Sequence, residues 1–168
     1  MTGVQTCALP ISLIISLFSA GVVAAEADKE QDLKRLYKEL IDDENRHDLA
    51  AVRKLVWDSP STLFVAKAPV GWRGYWGIED VMQHLHDMYQ TPFRIDPIYD
   101  EEKVVFITPE IAETYAPVRI TVAYGGQNPV PKPFVMVLLW IKTADEWKMA
   151  TDIPIPVPAE AEKPAVTK

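Results

Sequence analysis

Leu33, Leu36, Tyr37, Leu40 and Ile41 recur at i, i+3, i+4, i+7 and i+8, the spacing that lays one apolar stripe along an α-helix. The stripe runs out in the polar stretch Asp42 to His47, where Asp42-Asp43-Glu44 reads as a solvated helix end. Asp48 stands where an N-cap belongs, ahead of a short second helix that carries Leu49, Val52, Leu55 and Val56 inward. Ser59-Pro60-Ser61 breaks it, and Thr62 to Ala66 reads as a strand. The segment Gly71-Trp72-Arg73-Gly74-Tyr75-Trp76-Gly77 reads as a loop. A third helix then starts near Ile78, with Val81, Met82, Leu85, Met88 and Tyr89 on one face, and ends at Thr91-Pro92.

Beyond it the pattern changes to strand. Phe93–Tyr99, Lys103–Thr108, Ile111–Tyr124, Lys132–Thr143 and Glu146–Ile153 are separated by short breaks rich in turn formers, among them Asp100-Glu101-Glu102 and Gly125-Gly126-Gln127-Asn128-Pro129. Short breaks imply an antiparallel meander. Phe134 to Ile141 is apolar at every position, which predicts cover on both faces. The order predicts an α+β fold: three N-terminal helices packed on a strongly curved, mainly antiparallel sheet.

The two ends read differently. Residues 1–25 hold no charged side chain, and Ile11 to Val23 is an apolar run that gives way to small residues and then to Glu26-Ala27-Asp28-Lys29-Glu30. That is the plan of a secretory signal peptide, with a buried N-terminal helix as the competing reading; once cleaved, it leaves no membrane span and implies a periplasmic or secreted protein. Lys and Arg are missing ahead of the run. Met1 to Ile11 also reads like the in-frame translation of a short-read sequencing adapter opened by a GTG start codon, and on that reading Cys7 and Pro10 carry no information. From residue 155 to 168 prolines punctuate a stretch that reads as an extended, flexible tail. The domain proper occupies 30–154.

Composition narrows the partners. Seventeen Lys plus Arg against 24 Asp plus Glu leave a net charge of −7, which argues against nucleic-acid binding. With Cys7 as the single cysteine, an intramolecular disulfide and a cysteine-based zinc site are excluded. His84 and His86 stand about 200° apart around a helix and cannot hold one metal together, so neither a metal site nor a cofactor is implied.

Three local features, in this order, carry a resemblance: Asp48-Leu49 opening the second helix, Trp76-Gly77-Ile78-Glu79-Asp80-Val81 entering the third, and Trp147-Lys148-Met149 in the last strand after a turn holding Asp145. The chain resembles the nuclear transport factor 2-like superfamily, which includes SnoaL-like polyketide cyclases and ketosteroid isomerases. The resemblance implies a cone: a bent sheet wraps a long helix around an apolar cavity that holds small molecules in many members, and many members pair through the sheet. Ketosteroid isomerases carry a carboxylate base just before a Pro-Val-Gly turn and a second acid beside a tyrosine. Here the turn reads Ala68-Pro69-Val70-Gly71, and Val135-Met136-Val137-Leu138-Leu139 holds no acid. Tyr37 falls about one helical turn from the tyrosine position. Steroid-isomerase chemistry is therefore not expected.

Candidate residues follow. Asp152 sits at an apolar strand end, where burial would make it an acid or base. Alternation from Trp147, Met149 and Thr151 instead turns it outward with Lys148, and only a bulge would reverse that. His86 could reach a pocket mouth, while His47 reads as solvated. Arg119 alternates outward from Val118, Ile120 and Val122. Trp72, Tyr75 and Trp76 form a ligand platform or a lid hinged at glycines, unless Trp76 plugs the core and leaves only Trp72 accessible. Tyr37, Trp72, Trp76, Tyr124, Met136 and Trp140 are the expected ligand-binding set, with Asp152, His86 and Tyr37 the candidate catalytic groups. Two functions fit: a domain binding a small apolar molecule without chemistry, or an acid–base enzyme of the isomerase, dehydratase or cyclase type. A third is an accessory module that dimerises through Val135, Val137, Leu139 and Ile141.

Overall fold

The computed structural model describes residues 15–68, 71–123, 128–144 and 146–158, with side chains from Ala27 onward. The chain divides into two units, Met1–Asp32 and Leu33–Lys168. Of the expected signal segment, residues 1–14 lie outside the described part, and Ile15 to Ala25 stand in helix α1 (Ile15–Asn45). Among the described residues no helix is long and apolar enough to cross a membrane. Residues 159–168 of the expected tail also lie outside the description.

The second unit holds helices α2 (Leu49–Leu55) and α3 (Ile78–Met88) and strands β1 (Leu63–Lys67), β2 (Trp72–Trp76), β3 (Phe93–Pro97), β4 (Lys103–Thr108), β5 (Ile111–Val122), β6 (Lys132–Thr143) and β7 (Glu146–Pro156). Asp48 caps α2 as expected, its Oδ1 accepting the Ala51 N–H at 3.0 Å. The predicted stripe is the core side of α1: Leu33, Tyr37, Leu40 and Ile41 are sealed, packed in one cluster with Val81 and Leu85 of α3 and Met136, Leu138 and Met149 of the sheet. Asn45 fastens the end of α1 to β3, donating to the Ile95 carbonyl and accepting its N–H, both at 2.7 Å.

The sheet is curved, mixed and open, in the order β2-β1-β7-β6-β5-β3. β5, β6 and β7 form the expected meander, and β1 joins β7 in parallel. Four expectations need correcting. The Trp72–Trp76 segment is a strand paired along its whole length with β1, and its mostly exposed residues carry no alternation to betray it. β3 and β4 do not pair with each other. They lie end to end along one edge of β5, and Pro117, which has no N–H to give, falls where the neighbour changes. β6 is not covered on both faces: Val135, Val137, Leu139 and Ile141 are only half-buried, while Met136, Leu138 and Trp140 are buried. Finally, β7 continues through Ile155 and Pro156, which pair with Val135 and Phe134.

That extension positions the site. Val157 N–H donates to the Pro133 carbonyl, so odd-numbered amides at this end of β7 point toward β6 and even-numbered ones toward β1. Pro154 and Pro156 therefore offer no donor on the β1 side. Pairing between β1 and β7 stops at Phe64 opposite Asp152, and the two strands part beyond it.

Candidate active site

Where β1 and β7 part, a cavity of about 300 Å³ opens. Its walls follow strand alternation: Asp152, Pro154 and Pro156 of β7, Phe134 and Met136 of β6, Ile120 and Val122 of β5, Phe93 and Ile95 of β3, and Phe64 and Ala66 of β1. Met88 and Glu44 close it from the helices, while Lys67, Trp72, Asn128, Val130 and Lys132 stand at the exposed mouth. The volume is at the small end of ordinary ligand pockets.

Glu44 and Asp152 are the chemistry at its floor. Both are sealed, at 1% and 0% exposure, and among the described residues no group hydrogen-bonds to any of their four carboxyl oxygens. Asp152 was expected on the outer face. A bulge turns it in: Leu139 faces Thr151 but Trp140 faces Met149, so Ala150 is the extra residue and the alternation of β7 resets there. Glu44 was expected in solvent. It continues the stripe of α1, seven residues after Tyr37 and four after Leu40, and so faces the core. Its neighbour Asp43 is nearly buried too, paired with Arg46.

Burial dominates the electrostatics. It pushes the Asp152 carboxyl up to about 7. Glu44 is driven well above the usual carboxylate range, first by burial, then by the charge of Asp152, then by that of Asp43. Tyr37 and Tyr89, whose hydroxyls are also buried without a partner, are raised by burial and further by both carboxylates. They remain neutral donors at any physiological pH.

The other expected site residues scatter. Trp72 lies at the mouth and Met136 on the wall. Tyr37 stands behind the wall, within electrostatic reach of the acids but not bordering the cavity. Trp140 is core, its Nε1 donating to Thr114 Oγ1 at 2.8 Å. Trp76 neither plugs the core nor reaches the cavity; it is 60% exposed, over Gly74. Gly71 and Gly77 have φ of 74° and 82°, which suits the turns that bracket β2. Tyr124, and Pro69 and Val70 of the isomerase-like turn, lie outside the described residues. His86 is exposed beside Asp87. His84, not His86, is the half-buried histidine, stacked on Tyr75 at 3.9 Å. His47 is exposed at its edge but stacks on Tyr89 at 4.7 Å. Arg119 faces outward, as alternation required. Among the described residues no three His, Cys, Asp or Glu side chains converge to hold a metal.

No family model matches the sequence, and no curated protein does. Solved structures do match in shape. A protein with a cystatin-like fold from Caulobacter vibrioides superposes with a TM-score of 0.66 at 12% identity, over 77% of this chain and 91% of that one. A nuclear transport factor 2-like superfamily protein from Salmonella enterica gives 0.65 at 14%, over 79% and 93%. A protein of the same family from Streptomyces avermitilis, proposed to be a dehydratase, gives 0.64 at 16%, over 79% and 99%. The chain has the nuclear transport factor 2-like fold.

Proposed function

We propose that this protein is an acid–base enzyme that moves protons next to the carbonyl of a small, mostly apolar molecule, shifting a double bond or eliminating water. The single observation that carries this reading is that Glu44 and Asp152, both buried and without a protein hydrogen-bond donor, border one apolar cavity. Two like charges in a dry site cannot both ionise cheaply, so near neutral pH the pair holds one proton. The ionised carboxylate takes a proton from the carbon beside the carbonyl. The protonated one donates to the carbonyl oxygen or to a departing hydroxyl. Buried polar groups need partners, and the substrate's oxygen supplies one. The competing reading, binding without chemistry, depended on a cavity without convergent titratable groups.

The test is proton exchange at carbon. In D2O the protein should load deuterium onto the methyl group of para-substituted acetophenones faster than buffer, read by mass spectrometry. Asp152→Asn and Glu44→Gln should each lose about a hundredfold or more. Exchange no faster than buffer, or unchanged in both variants, refutes the assignment.

Export rests on the apolar run before Glu26, and N-terminal sequencing of the secreted or periplasmic fraction tests it. Pairing of two copies is supported by the apolar outer face, where Val105 and Tyr115 are exposed beside half-buried Val137 and Leu139. Light scattering on the eluted protein decides it: a dimer mass supports pairing and a monomer mass removes it.

A further inference from the structure

The charged groups of the cavity are sorted by depth. Among the described residues, the two acids that border it are at the floor, fully buried, and the two bases that border it, Lys67 and Lys132, are exposed at the mouth. Strand register measures the separation. Asp152 lies opposite Phe64 in β1, and Lys67 is three residues further along, roughly 10 Å toward the mouth. On the other side Asp152 faces Leu138 in β6, and Lys132 is six residues away through Met136 and Phe134, roughly 20 Å. Between floor and mouth the lining is apolar: Phe64, Ala66, Met136, Phe134, Pro154 and Pro156. Trp72 pairs with Lys67 across the β1–β2 ladder, and both border the mouth.

From this sorting, and resting on the acid–base reading above, we infer that the substrate is an amphipathic anion. It has a carbonyl or hydroxyl at one end, an apolar body, and an anionic group at the other end, drawn to the mouth that Lys67 and Lys132 border. Repulsion from the floor acids and attraction at the mouth orient it one way round. The reactive end enters first and the head group stays in water. A neutral isostere loses the attraction at the mouth, and a cationic one meets two ammoniums there.

Calorimetric titration at pH 8 tests the inference with para-acetylbenzoate and para-acetylcinnamate, each against its primary amide. The carboxylates should bind about tenfold tighter than the amides, and 0.5 M salt should narrow the gap. In the Lys67→Gln/Lys132→Gln protein the gap should close while amide affinity holds, which also shows that the variant is folded. Equal affinity of acid and amide for the wild-type protein overturns the inference and leaves the cavity reading standing. An advantage for the acids that survives in the double variant assigns the anion to other groups and likewise overturns it. If no member of the series binds, both readings fall. Replacing the carboxylate with a sulfonate separates head-group types: equal binding means that charge alone is read at the mouth.

Discussion

Met149 and Asp152 stand three residues apart in one β-strand, and both face the interior. Regular alternation forbids that pairing of faces. Ala150 supplies the missing half-step, because the β6–β7 register shifts between Leu139 and Trp140. The bulge leaves the start of β7 packing as core and turns its end into a cavity wall with a carboxyl on it. One extra residue thus converts a surface acid into a buried one.

Asp152 should make the fold less stable as pH rises. Its carboxyl titrates near an ordinary 3.8 when unfolded and at about 7 when folded. Between those values the folded state holds more protons than the unfolded one, so stability falls with rising pH. The full loss by pH 8 is up to about 4 kcal/mol. Asp152→Asn should reduce this slope to the part that buried Glu44 contributes and, at pH 8, raise stability by about 2 kcal/mol while abolishing exchange activity. Urea unfolding from pH 4 to 8 measures it. A wild-type curve that rises across that window contradicts a buried Asp152.

Glu44 and Asp152 should titrate as a pair. Asp152's charge is the second-largest cause of Glu44's raised pKa, after burial. Neutralising Asp152 should therefore lower Glu44's midpoint without returning it to the ordinary carboxylate range, because burial remains. Side-chain carboxyl carbon-13 spectra of the Asp152→Asn protein read this directly. An unmoved Glu44 midpoint separates the two acids.

Much of the frame was legible because it obeys simple periods. The α1 stripe, the Asp48 cap and the long strands all follow the 3.6- and 2-residue rules, and the packing agrees. Glu44 was also legible in principle. It continues the Tyr37, Leu40 and Ile41 face, but its two acidic neighbours made it look like part of a solvated end. Asp152 was not, because a bulge is a property of two strands in register and Ala150 has no special chemistry. Pro154 and Pro156 looked like punctuation of a tail. Their shared parity, which strips donors from one edge only, has meaning once β7's neighbours are known. Trp140 and Trp76 show the converse failure: aromatic size predicts contact area but not whether the contact is core, surface or ligand.

Trp140 should behave as a core residue. Its Nε1 donates to Thr114 Oγ1, and both residues are fully buried. Trp140→Phe leaves the Thr114 hydroxyl unpartnered and removes volume, at a cost of about 3 kcal/mol. Thr114→Val strands the indole N–H instead and should cost about 2 kcal/mol. The double variant should cost less than the sum, by about 1 kcal/mol, because neither partner is then left alone. Affinity for para-acetylbenzoate should not change in any of the three. Weakened binding would return Trp140 to the cavity wall.

His84 opposes Asp152 on the acid side. Its ring is wedged against Tyr75 and Phe64, and its Nε2 is buried without a hydrogen-bond partner. Burial lowers its pKa from 6.5; Asp87 and Asp80 pull the other way less strongly, and Arg73 reinforces the fall. The unfolded chain therefore takes up a proton below about pH 6.5 that the folded chain resists, so stability falls as pH drops through that value. In the wild-type protein the gain from protonating Asp152 and Glu44 masks this loss. An Asp152→Asn/Glu44→Gln background, with both raised carboxyls removed, should expose it as a stability that rises with pH between about 5 and 7. Adding His84→Phe keeps the aromatic stack and removes the titrating nitrogen, so the combined variant should lose that rise. A slope that persists in the combined variant places the titrating group elsewhere than His84.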